Sequence, residues 1–176
     1  AYTASVETHL VQGTATRNND GLNNTGAYWF LEVGNNAADQ LDHRVGLLRF
    51  DLESVPYYLD VLEAKLVLSH NRNRQALSTT HTVYAARLLT AWNAGTGVSG
   101  TEGRPSFVGE ANWYWAFFQG RPWQLGGARG PSDTIAPESS VQVSASTIGR
   151  FLEWDVTQMV RYWVANPFSN FGLNIT

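Results

Sequence analysis

Over most of the chain, apolar and polar residues alternate with period two. In "HRVGLLRFDLE" (43–53), Leu48, Phe50 and Leu52 fall on one side and Arg49, Asp51 and Glu53 on the other. "DVLEAKLVLS" (60–69) repeats this, with Leu62, Ala64, Leu66 and Leu68 opposite Glu63, Lys65 and Ser69. Strands are also predicted at 5–11, 28–33, 81–89, 111–119, 140–146 and 149–154, between loops rich in Gly, Asn, Pro and Ser. One segment changes period. In "DVTQMVRYWVANP" (155–167), Val156, Met159, Val160, Trp163 and Val164 make one face of an amphipathic helix. Asp155 is its expected N-cap, Gln158 completes a capping-box-like pair, and Asn166-Pro167 ends it. The final "SNFGLNIT" (169–176) returns to period two through Phe171, Leu173 and Ile175. The pattern predicts an all-β chain: an antiparallel β-sandwich, jelly-roll-like, with one short amphipathic helix near the C-terminus. Residues 1–176 read as a single domain.

Composition narrows the function classes. The chain has 176 residues, 43% of them hydrophobic and 12% aromatic, enough for a core. A net charge of −3 supplies no field for nucleic acid or an anionic membrane. The basic residues are all Arg except Lys65. There is no cysteine, so neither disulfides nor thiolate metal sites arise. No apolar run approaches membrane-spanning length, so no membrane insertion is expected. The start at Ala1 is compatible with a signal peptide already removed. Asn23-Asn24-Thr25 and Asn174-Ile175-Thr176 match the N-glycosylation triplet, which matters only in a secreted protein.

Candidate chemistry lies mainly in the aromatic residues. The carboxylates are scattered over strands with no pair that spacing places across a scissile bond, and His9, His43, His70 and His81 show no zinc-protease spacing. The expectation is therefore a protein that is not an enzyme. Oxygen donors at Asn18, Asp20 and Asn24 around Gly21 are a candidate structural Ca²⁺ site, against the plainer alternative of an Asx-rich turn. In "ANWYWAFFQGRPW", strand periodicity puts Trp113, Trp115 and Phe117 on one face and Tyr114 and Phe118 on the other. One set must be core; Tyr114, Trp115 and Phe118 are the candidates for a platform on which sugar rings stack. Tyr57 and Tyr58 form a second exposed pair, and His70, Arg72 and Arg74 are candidate donors to uronate or sulfate groups.

In order along the chain, "AYTASVET", "VGLLRFDLESVP", "VLEAKLVL", "LLTAWNAGTG", "NWYWAFFQGRPWQLGG" and "WDVTQMVRYWVANPFSNFGL" resemble the DNRLRE domains. These are also grouped as a carbohydrate-binding module family with alginate-binding members. The resemblance implies an extracellular or cell-surface β-jelly roll that is an accessory to polysaccharide-active or surface proteins, with a polysaccharide as partner. It marks Trp92, Trp113, Trp123, Trp154 and Trp163 as core. Family members continue beyond the segment matching 171–175 to a last strand, which this chain lacks. Phe171, Leu173 and Ile175 are therefore expected to form an open edge. A second copy could complete that edge by strand addition, and the alternative function is a self-assembling subunit of an extracellular fibre or sheath.

Overall fold

A computed structural model describes residues 4–12, 21–28, 30–35, 42–73, 79–98 and 103–176. The chain is an all-β, antiparallel sandwich that does not close, with one α-helix among the described residues. A five-stranded sheet forms its middle. β1 (Ala4–Val11) pairs with β3 (Arg44–Phe50), and β5 (His81–Arg87) pairs with β9 (Ser139–Val143). Between β3 and β5 lies β11, Leu173–Ile175, hydrogen-bonded to both, while the short β2 (Asn23–Asn24) and β6 (Arg104–Pro105) pair separately.

That placement corrects the expectation of an open edge at Phe171, Leu173 and Ile175. Leu173 is opposite Leu48 on one side and Arg87 on the other, and Ile175 is opposite Gly46 and Ala85. Thr176 and Tyr84 exchange backbone hydrogen bonds, Leu88 N donates to Gly172 O, and the Trp92 indole donates to Phe171 O at 2.7 Å. The backbone here is consumed within the chain. Gly172 (φ 84°) permits the entry, because a Cβ there would lie 2.1 Å from the Leu48 carbonyl oxygen.

Both faces of the middle sheet are covered, which explains why β3 is buried almost throughout. On one face Leu48, Ala85, Leu173 and Ile175 pack with Leu66, Trp154, Val156, Met159 and Trp163. These come from the ribbon of β4 (Lys65–Ser69) and β10 (Phe151–Asp155) and from α1 (Thr157–Ala165). On the other face Leu10, Val45 and Leu47 meet Trp92, Trp113, Ala116, Trp123 and Ala128, all from the long excursion between β5 and β9. Asn174 points to this second face and donates to Ala128 O at 3.1 Å. It is buried, so the Asn174 triplet is not open to glycosylation in the folded chain. The tryptophans that the family resemblance assigns to the core are all buried.

Several predicted bounds shift. The expected strand 60–69 begins only at Lys65, since 51–64 is a loop of turns. The expected strand 28–33 is absent from its described residues; an isolated bridge from Gly34 to Arg44 follows just beyond them. Val156 occupies the helix N-cap and cannot cap with its side chain; the Asp155 carboxylate accepts instead from Thr157 N at 2.9 Å. The bond to Thr157 holds the Asp155 carboxyl below its usual range. The expected partnership with Gln158 is not formed. Asn166 and Pro167 end the helix as predicted.

Leu173 is 1% exposed and is held by ladders on both sides. Leu173→Ala is expected to cost about 2–5 kcal/mol, read as a lower midpoint in urea unfolding. An unshifted midpoint would show that the central position of β11 does not carry the fold.

Candidate functional site

The sequence-predicted groups separate in space. Asn18, Asp20 and Arg74 lie outside the described residues. Asn24 ties the fold together. Its Nδ2 donates to Ala94 O (2.6 Å) and Ala111 O (2.8 Å), and its Oδ1 accepts from Gly26 N (3.1 Å) and Gly97 N (2.7 Å). Both donors and both lone pairs are used, and the residue is fully buried. The glycosylation triplet at Asn23 depends on Thr25, whose hydroxyl is buried and donates to His9 O. His70 is also committed: one ring nitrogen pairs with Thr147 Oγ1 and the other with Asn73 Oδ1, both at 2.8 Å. Arg72 is exposed, with its guanidinium 5.9 Å from the Phe30 ring. Tyr57 and Tyr58 are 80% and 73% exposed and meet edge to face at 5.6 Å on the 51–64 loop.

The aromatic segment folds differently from its period-two reading. The buried Asn112 accepts from Tyr114 N (3.0 Å) and Trp115 N (3.1 Å), an Asx turn that breaks the alternation before the strand starts. Trp113 is thereby turned into the core. Only Trp115–Phe117 is strand (β7), hairpin-paired with β8 (Arg121–Pro122) through a turn where Gln119 takes φ 60°. Ala116 points inward. The turn brings Phe118 round to Trp115, so the two rings meet edge to face at 6.1 Å. Both are half-buried. Tyr114 is exposed next to them in sequence.

A neighbouring turn that the alternation did not single out joins this hairpin. Gly109 N donates to Phe118 O and Phe118 N to Glu110 O, both at 2.9 Å. Phe107 to Glu110 is a tight turn with Gly109 at φ 88° and a bond from Glu110 N to Phe107 O. Phe107 and Val108 at its tip are 65% and 73% exposed. The one available signal was "SFVGE" itself, two apolar residues immediately before a turn glycine.

Glu110 locks the turn. Its carboxylate receives both arms of the Arg104 guanidinium at 2.7 Å, together with Phe107 N (2.8 Å) and Thr96 N (3.0 Å). Burial opposes the charged form, but the Arg104 fork and the two backbone donors outweigh it and hold the carboxyl at about 2. The Arg104 guanidinium in turn lies 3.9 Å over the Phe107 ring.

A concave feature lies elsewhere. A cleft of about 450 Å³ is bordered by Glu63, Glu138, Asp155, Gln158 and Arg161. Its carboxylates have partners: Arg87 on Glu138 at 2.8 Å, Lys65 on Glu63 at 3.3 Å and Thr157 N on Asp155. None of the aromatic candidates lines it. Comparison with known proteins assigns no family: no family model matches the chain, and no curated protein matches it at a significant level.

Two outcomes follow from these bonds. Asn24→Ala leaves three buried backbone groups and one half-buried one without their side-chain partner and is expected to cost on the order of 3–5 kcal/mol. The melting temperature should fall equally in Ca²⁺ and in chelator; a fall that depends on Ca²⁺ would mark Asn24 as a ligand after all. Glu110 has its folded value of about 2 below its ordinary 4.5. Its contribution, about 3 kcal/mol, is therefore fully present above pH 4.5 and is lost as the pH falls toward 2. Melting followed across that window should fall less steeply for Glu110→Gln than for the wild type; parallel curves would refute the assignment.

Proposed function

We propose that the protein is a non-catalytic module that binds a polysaccharide on the aromatic surface of the 115–122 hairpin. One observation carries the reading: Trp115 and Phe118 meet edge to face at 6.1 Å, each half-buried, on a hairpin anchored by the buried Ala116. A pyranose ring offers an apolar face of axial C–H groups. Fixed aromatic rings accept it at little entropic cost, because their rotamers are already ordered. The resemblance to DNRLRE domains, with the extracellular location it implies, supports the same reading. Assembly into a fibre by strand addition at 171–175 is not favoured, since that stretch finds both partners within its own chain.

Native gels cast with soluble polysaccharides test the proposal, using mixed-linkage β-glucan, xylan and galactomannan beside polygalacturonate and alginate. The wild type is expected to be retarded in at least one gel. Trp115→Ala should lose about tenfold or more in affinity there while keeping the wild-type circular-dichroism spectrum at the temperature of the gel. A wild type that runs freely in every gel would sink the proposal, as would a Trp115→Ala variant retarded as strongly as the wild type.

A further inference from the structure

We infer that the Phe107–Val108 turn is a second contact surface of the same platform, and that Arg104 and Glu110 are positioning residues that aim Phe107 at the ligand. The inference rests on the polysaccharide reading above and deepens it, because it names residues and a mechanism that the Trp115–Phe118 pair does not supply. Three observations carry it. The turn is zipped to the platform through the paired bonds of Gly109 and Glu110 with Phe118, so its tip stands beside the Phe118 backbone. The tip is apolar and exposed, whereas a turn serving only as a connection normally presents polar residues to water. And it is held more firmly than a connection requires: the Glu110 carboxylate takes both arms of Arg104 and the Phe107 N–H, while the guanidinium lies over the Phe107 ring.

The last arrangement matters most. An exposed phenylalanine on a free turn samples several rotamers and loses that freedom on binding. Here one ring face is covered by a planar cation that the carboxylate itself holds in place. The other face is left for a ligand. With its cation neutralised by Glu110 at 2.7 Å, the clamp adds no free charge to the surface. Phe107 therefore contributes stacking, and does so independently of whether the polysaccharide is acidic or neutral. Rings on two separate backbone segments suit successive sugars of a chain better than a single terminal sugar.

The test uses gels cast with whichever polysaccharide of the panel most retards the wild type. Phe107→Ala is expected to weaken binding about tenfold without changing the melting temperature, because the side chain is exposed. Arg104→Lys retains the charge opposite Glu110 but loses the planar fork, and should weaken binding several-fold. The double variant should bind no more weakly than Phe107→Ala alone, since Arg104 acts through that ring; a merely structural role would add a further loss. Phe107→Ala bound as tightly as the wild type, with Trp115→Ala released, would overturn this inference and leave the platform standing. Additive losses in the double variant would overturn the positioning role. A wild type retarded by none of the polysaccharides would overturn both.

Discussion

The fold depends on a three-residue strand. Leu173–Ile175 sits between β3 and β5, so the middle sheet is continuous only because this short segment fills both ladders. Leu173 and Ile175 enter the core with Trp154, Met159 and Trp163, and Asn174 reaches across to the opposite layer. One strand thus joins the two cores that lie on either side of the sheet. Without it, β3 and β5 would each present an unpaired row of backbone donors and acceptors next to exposed apolar surface.

Covering both faces of a sheet requires a cover that is itself satisfied. The ribbon of β4 and β10 with α1 meets that need through regular hydrogen bonding. The opposite cover, running from β5 to β9, has little regular structure and relies on buried polar side chains. Asn24 ties the 94–97 segment of it to Ala111 through three hydrogen bonds. The Asp133 carboxylate gathers Gln124 N, Leu125 N and Gly130 N within 3.1 Å. Glu110 does the same for the 104–110 turn. Each replaces a missing ladder at the points where a loop would otherwise bury unpaired backbone. The aromatic surface is carried by this irregular cover and is as rigid as those three residues make it.

Much of the candidate site was legible as composition and little of it as geometry. "NWYWAFF" announced an aromatic surplus and drew attention to Trp115 and Phe118, which are half-buried in the fold. Strand periodicity placed them on opposite faces, whereas an Asx turn before the strand and a turn with Gln119 at positive φ bring the two rings together. Phe107 went unnoticed because its local mark, an apolar pair before a turn glycine, is weak. Its importance comes from Arg104 and Glu110, which an isolated turn would leave in water. The bonds of Asn24 were illegible for a related reason: an Asx-rich loop has the same composition whether its oxygens face a cation or the backbone of a distant segment.

The sequence by itself determined the class of the fold and the amphipathic helix with its end at Asn166-Pro167. Each follows from local periodicity or from the loss of a backbone donor at proline. Only the tertiary structure decided where the final strand goes. Phe171, Leu173 and Ile175 alternate as any half-buried strand does. Whether such a strand ends at an open edge or in the middle of a sheet depends on which backbone lies on its two sides. Here those partners, 44–50 and 81–87, are more than eighty residues earlier in the chain. Their choice of neighbour is a matter of long-range pairing, which no local pattern encodes.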